Sequence, residues 1–463
     1  MRHLPCAVGV LTVALGTSDA VPEVMAMTAQ VESSVPDAVA SAGVDDAVNI
    51  LLPAIAGGDP HDKPGAQLGP RSSAELLPEA NDLTRDWFGG APPWEWSRLT
   101  GDWAGARTWL EEHGVTIEGS FTIEWADAIS GGIGRKWIHR NYFDINAAFD
   151  TEKLVGWQGG KFYVEVASSY TQDGGVFVPV TQWTSNIEVA EDTFQIANLW
   201  YEQRLFDTKL RLKAGKIDAS TEFGFLDATD GFLNLSALLP PTVASVPWYP
   251  YSGLGGVAYF YPCDNFYVGG GAFDATDVVA GFVREDSFDE VWIVGETGIT
   301  WNALGGVHDG RASFGGWWDS RELDRFDGNG QSTSWGLYAV AQQRLWRPDD
   351  STSQDERGVW LFGQLGYADP DVGAITGSYA GGVALHGTFP GRDVDQTGFY
   401  ISSAHFAGGS GMTSNETVFE LFYGLQLTPA VKFTPNIQFI VHPNGDDAAT
   451  NPIVFTMRIE LSF

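Results

Sequence analysis

The chain has 463 residues, of which 18% are charged, and Asp plus Glu (59) far outnumber Lys plus Arg (26), giving a formal net charge of −33. Phosphate contacts need clustered basic side chains, so this balance argues against a nucleic-acid partner. Gly is abundant (56), Trp reaches 18, and the two cysteines, Cys6 and Cys263, form no CxxC or zinc pattern.

The start, "MRHLPCAVGVLTVALGTSDA", has a short basic end (Arg2, His3), an apolar stretch from Leu4 to Leu15 and small residues after it. This is the outline of a secretory signal over 1–26, with cleavage after Ala20 or Ala26. Cleavage leaves Cys263 alone, so no intrachain disulfide is expected. Residues 27–95 form an acidic, Ala- and Pro-rich leader broken by "GGDPHDKPG" and "GGAPPWEW". Within it, "VDDAVNILLPAI" is a candidate short helix. No later stretch approaches the ~20 apolar residues of a membrane helix. An exported chain without one still spans a membrane as a closed barrel.

The third unit, 96–463, opens on "LTGDWAGARTWLEEHGV". Asp102 is positioned to cap a helix starting near Trp103, and Gly114 to stop it after about three turns. Beyond Gly114 the period changes to two. Ile117, Phe121, Ile123 and Trp125 oppose Thr116, Glu118, Ser120, Thr122 and Glu124. Phe162, Val164 and Val166 oppose Lys161, Tyr163 and Glu165; Leu210 and Leu212 oppose Arg211 and Lys213. Val291, Ile293, Ile299 and Trp301 oppose Trp292, Glu296 and Thr300. Phe419, Leu421, Tyr423, Leu425 and Leu427 oppose Glu420 and Gln426, and Phe433, Ile437, Phe439 and Val441 oppose Thr434, Asn436 and Gln438. The last twelve residues, "PIVFTMRIELSF", set Phe455, Met457, Ile459, Leu461 and Phe463 against Thr456, Arg458, Glu460 and Ser462.

One face is apolar and aromatic-rich, and the other carries charge, as a strand between lipid and a watery lumen requires. At roughly 22 residues per strand and connection, Gly114 to Phe463 accommodates about 16 membrane-crossing strands. The expected fold is an all-β, antiparallel transmembrane barrel of about 16 strands. A soluble all-β protein of two domains is the competing reading, since solvated sheets alternate too.

Several segments resemble the carbohydrate-selective porins of the OprB type. They are "LTGDWAGARTWLEEHGV", "LRLKAGKIDASTEFG", "WYPYSGLGGVAYFYP", "GGGAFDATD", "ALHGTFPGRDVDQTGFYISSAHF" and "ETVFELFYGLQLTPAVKFTPNIQFIVHPNG", in order over about 98–463. The resemblance implies a 16-stranded outer-membrane barrel of a Gram-negative-type bacterium, its amino-terminal helix tucked toward the lumen. It also implies passive diffusion of mono- and oligosaccharides, with no cofactor and no metal. Its expected partners are small neutral sugars, outer-membrane lipid and the outer-membrane insertion machinery, as a monomer or homotrimer.

Sugar hydroxyls and apolar ring faces call for charged and aromatic groups at a constriction, without a reaction. The pore-lining and sugar-binding candidates are Glu118, Glu124, Glu165, Arg211, Lys213, Glu296, Glu420, Gln438 and Arg458 on the polar faces. Trp317 and Arg321, in "GGWWDSRELDRFDG" with Trp318 and Asp319, join them. Arg107 is added because the resemblance places it on the inserted helix, with Glu118 and Glu124 as expected partners. No GxSxG, HExxH or GxxxxGK motif occurs. The alternative class is a barrel hydrolase for lipid or peptide, with His386 and His405 as candidates, or a surface receptor.

Overall fold

The computed structural model describes residues 92–133, 137–172, 177–243, 246–248, 251–276, 287–303, 309–348 and 357–463. The predicted signal and the "VDDAVNILLPAI" helix lie outside the described residues. Sixteen strands appear among the described residues: β1 (Val115–Ser130), β2 (Ile138–Asp150), β3 (Gly160–Thr171), β4 (Thr193–Leu205), β5 (Leu210–Ile217), β6 (Gly253–Cys263), β7 (Phe266–Asp274) and β8 (Val291–Trp301) come first. β9 (Gly310–Asp324), β10 (Gln331–Trp346), β11 (Gly358–Ala368), β12 (Ile375–His386), β13 (Gln396–Phe406), β14 (Glu416–Thr428), β15 (Val431–Val441) and β16 (Ile453–Ser462) follow. Each strand pairs antiparallel with its sequence neighbours, and β16 returns to β1, so the sheet is a closed barrel.

The two-residue period decides which face each side chain takes. Trp125, Phe314, Leu361, Phe399, Leu421 and Phe439 are exposed on the outer wall. Their alternation partners Glu124, Ser313, Phe362, Tyr400, Glu420 and Gln438 are buried inside. This is the lipid-out, polar-in arrangement of a membrane barrel. Closure satisfies every ladder without leaving an edge for lipid to meet.

Connections at the end bearing β1's start and β16's finish run from two residues, as at Pro429–Ala430 between β14 and β15, to eleven between β10 and β11. The two longest connections, L2 (172–192) and L3 (218–252), are both at the opposite end. Short turns on the periplasmic side and long loops outside are the usual asymmetry of such barrels.

The amino-terminal helix differs from the three turns expected. Trp103 and Ala104 have positive φ (52° and 57°) and Gly105 has φ 93°, so the chain loops once before α1 (Ala106–Glu112) begins. Asp102 still serves this helix: its Oδ1 accepts from the Thr108 backbone N–H (2.9 Å) and Oγ1 (2.8 Å). The segment sits against the inner face of β1. Arg98 bridges Glu111 of α1 (3.2 Å) and inward-facing Glu118 (2.8 Å).

The carboxy-terminal residue is part of the closing seam. The Gly119 N–H donates to the Phe463 carbonyl (2.8 Å), and the Phe463 N–H donates back (3.0 Å). Its ring lies over Gly119, where a Cβ would overlap it, and stacks on Phe143 at 5.9 Å. Deleting Phe463 removes this bond pair and the aromatic contact at the seam. The expected outcome is less heat-modifiable, folded barrel in the outer membrane, read by cold versus boiled gel mobility. Unchanged amounts would remove the seam's role in assembly.

Candidate functional site

The site is the lumen, and what fills it comes from L2 and L3. Both loops fold inward and are held by wall side chains whose inward parity the strands fix. L2 crosses to the seam. The Glu416 carboxylate on β14 accepts from the backbone N–H groups of Thr181 (3.0 Å) and Gln182 (2.6 Å). Gln438 on β15 donates to the Thr184 carbonyl (2.7 Å). Arg140 on β2 pairs with Glu188 of L2 (2.6 Å) and with Glu124 (3.2 Å). Arg458 on β16 pairs with the same Glu124 (2.6 Å) and donates to Asn186 of L2. Glu124 stands opposite both Arg140 and Arg458 in the ladder, so the cluster follows directly from register.

L3 is held by β14 as well, and by strands farther round the barrel. Glu420 on β14 accepts from the N–H groups of Leu233 (2.6 Å) and Asn234 (3.0 Å). Glu296 on β8 accepts from the Gly224 N–H (2.8 Å), the Tyr267 hydroxyl (2.5 Å) and the Tyr338 hydroxyl (2.9 Å). Phe232 of L3 packs among Phe362, Tyr400 and Phe422, with ring centroids 4.8–5.5 Å away. Glu222 receives Arg211 through both terminal guanidinium nitrogens (2.7 and 2.9 Å) and Lys213 (2.7 Å). Arg211 also meets Glu202 on β4 (2.6 Å), and Lys213 lies 3.8 Å from the Trp200 ring centre.

Two buried loop carboxyls end on opposite sides of their ordinary value. Burial raises Glu222, but the charges of Arg211 and Lys213 outweigh it and hold the group below its ordinary value. Burial dominates at Glu188, with Glu124 reinforcing it against Arg140, and the carboxyl is pushed up to about 7. On the amino-terminal segment, burial and neighbouring Arg98 pull the Arg107 guanidinium down to about 10.

The candidates chosen from the sequence therefore occupy several kinds of place. Glu124, Arg458, Glu296, Glu420 and Gln438 hold loops to the wall, and Arg211 and Lys213 clasp Glu222. Glu165 faces inward with no ion pair among the described residues. It accepts from Tyr142 (3.1 Å), Tyr163 (3.3 Å) and Asn198 (2.9 Å), beside Asp144. Glu118 belongs to Arg98.

Two expectations need correcting. Arg107 reaches neither Glu118 nor Glu124. It donates to the Gly101 carbonyl (2.9 Å) and stacks 4.2 Å over Trp103, because the loop before α1 wraps its own turn around it. Trp317 and Trp318 do not share a face: alternation sends Trp317 inward and Trp318 to the outer wall. Arg321 folds back on Asp319 (2.7 Å).

Sequence reasoning passed over Arg140, Arg311 and Arg344, which share inward parity with Tyr142, Ser313 and Gln342 and were open to the same alternation argument. It also passed over Asp227 and Asp230 on L3. Both are exposed although the residues around them are buried, and neither is in an ion pair among the described residues. Only the seating of L3, which local pattern does not encode, puts them in the lumen.

A family model described as carbohydrate-selective porin, OprB family, matches residues 135–463. Porin B of Pseudomonas aeruginosa is 22% identical over 417 residues, covering 79% of this chain and 91% of that protein. The high-pH structure of Pseudomonas putida OprB aligns with a TM-score of 0.73 at 20% identity, over 80% of this chain and 99% of that one. The low-pH structure of the same protein gives 0.54 at 19% identity, with the same coverage. These structural likenesses concern the fold; the family match spans most of the chain and includes every strand from β2 to β16. The chain belongs to the carbohydrate-selective porin, OprB family: it is an outer-membrane channel of a Gram-negative bacterium, not an enzyme.

Proposed function

We propose that the protein is a porin through which mono- and oligosaccharides diffuse passively, with the constriction built by L2 and L3. The observation that carries this reading is a closed barrel whose lumen is narrowed by two loops seated on charged and aromatic wall groups. Such a lumen offers hydroxyl partners of both signs and ring faces, without a bond-making group. His386 and His405 support no hydrolase. They lie at opposite ends of β12's pairing with β13, and His405 faces Tyr379 on the outer wall.

Sugar contact in this reading falls to groups left partly open: Glu118, Arg211, Arg321 and the L3 carboxylates Asp227 and Asp230. Wall cations such as Arg311, Arg344 and Arg458 already face Glu296, Asp309 and Glu124. The L3 carboxylates, which are in no ion pair among the described residues, then give a weak cation preference, since only charges within about 8–10 Å of the constriction act through physiological salt. Insertion through the terminal strand by the outer-membrane assembly machinery belongs to the same proposal.

Planar-bilayer recording tests the reading. Open channels, partial block by neutral oligosaccharide and a reversal potential on the cation side are expected. Silent bilayers would sink the porin reading, and clear anion preference would sink the role given to Asp227 and Asp230.

Arg107→Ala strips a buried carbonyl and ring of their partner, at a cost of about 1–3 kcal/mol. Higher single-channel conductance in an assembled barrel is expected, because the segment lies against the inner face of β1. Unchanged conductance and sugar block would show that this segment does not shape the pore.

Glu188 adds a pH dependence. It faces Arg140 on β2 and Glu124 on β1, with Arg458 of β16 bound to that Glu124. Its proton is held more tightly in the seated loop than at the ordinary 4.5. Its contribution to seating is therefore full below the ordinary value and lost as pH rises through about 7. Conductance should rise between about pH 5 and about pH 8, and Glu188→Gln should flatten that rise. An equal rise in the variant assigns the effect elsewhere.

A further inference from the structure

L2 and L3 are anchored by different wall carboxylates, Glu416 and Glu420 of β14, and at Asn234 the two loops and the wall meet. Asn234 is fully buried on L3, just before the single turn α2 (Leu235–Leu238). Its Oδ1 accepts from the Ser236 N–H (3.0 Å), and its own N–H donates to Glu420 (3.0 Å). Its side-chain amide nitrogen has two further duties. It donates to the Gln182 carbonyl of L2 (3.2 Å) and to the Gln438 Oε1 on the wall (3.1 Å). Gln438 in turn donates to the Thr184 carbonyl of L2 (2.7 Å), so one wall amide touches both loops. Beside the joint, the Leu235 N–H donates to the Trp183 carbonyl (3.0 Å), and the Asn186 amide donates to the Phe232 carbonyl (3.3 Å).

We propose that Asn234 is the positioning residue that fixes the constriction, by locking L2 and L3 to each other and to the wall as one unit. An amide is suited to this place. It presents an acceptor for its own turn and two donors for two different neighbours, all out of water. Glu416 holds L2 and Glu420 holds L3, but neither carboxylate reaches across. Without the Asn234 donors, the Gln182 carbonyl and Gln438 Oε1 lose a partner in a space closed to water, and the loss falls on L2 as much as on L3. Coupling of this kind makes the two seats cooperative, so the pore has one constricted state rather than two independently moving flaps. The inference rests on the porin reading for its transport consequence, but the coupling itself is measurable without transport.

Asn234→Ser tests it in the full-length barrel. Serine keeps an acceptor for the Ser236 N–H but not the paired donors. Amide hydrogen exchange at Gln182–Asn186 of L2 should become roughly tenfold faster, although the substitution lies on L3. Single-channel conductance and the sugar concentration for half-block should rise together. Gln438→Leu, which breaks the joint from the wall side, should speed exchange at Leu235 and Ser236 of L3, which Gln438 reaches through Asn234, and carries the test if Asn234→Ser does not assemble. Wild-type exchange at Gln182–Asn186 in assembled Asn234→Ser, or at Leu235 and Ser236 in assembled Gln438→Leu, would overturn the proposal, since Asn234 would then serve only its own turn. A silent wild-type bilayer bears on the porin reading alone, because the exchange readout does not depend on flux.

Discussion

Peptide groups taken out of water must find partners, and in this lumen wall glutamates provide them. Glu296 accepts from Gly224; Glu416 from Thr181, Gln182 and Asn444; Glu420 from Leu233 and Asn234. A buried carboxylate without such donors is costly, and so is a buried N–H without an acceptor. Bringing them together resolves both costs and fixes where the loop backbone lies. The lumen is thus shaped less by side chains reaching inward than by loop backbone bound to the wall.

The wall makes room for this arrangement with glycine. Tyr259, Tyr267 and Tyr338 each lie flat across a glycine of the paired strand: Gly269, Gly298 and Gly315. A Cβ at any of the three would overlap the ring. Flat rings let the hydroxyls reach along the wall, so Tyr259 meets the Glu222 carbonyl of L3 (2.5 Å) and Tyr267 and Tyr338 meet Glu296. The high glycine and aromatic counts therefore belong to one device, in which missing side chains on one strand seat large ones from the next.

The barrel was legible because a two-residue period is a local signal that burial repeats strand after strand. Glu124 and Arg458 were both placed inward by alternation, and the seam brings them together. Arg140, on the facing strand, was open to the same reasoning. L2 and L3 were not legible: Gln182 meets Glu416, and Leu233 meets Glu420, across more than half of the barrel's sequence, with no periodicity to announce it. The Arg107 error has a local cause. Helical spacing in "DWAGARTWL" hides the positive φ at Trp103 and Ala104, which turns the guanidinium into its own loop. The Trp317–Trp318 error came from reading proximity in sequence as proximity in space, where a strand separates neighbours.

Closing β1 on β16 also constrains how the molecule comes into being. Ser120 pairs with Ser462, and Gly119 with Phe463, so the first strand waits for the last. Until then both carry open ladders that hydrocarbon cannot satisfy. The pairing has the longest sequence separation in the sheet, so its loop-closure entropy is the largest of any strand pair. The barrel therefore has no strand-by-strand route into a bilayer with both edges bare. Closure of the sheet is therefore coupled to entry into lipid, because the open ladders of β1 and β16 find partners in water but none in hydrocarbon.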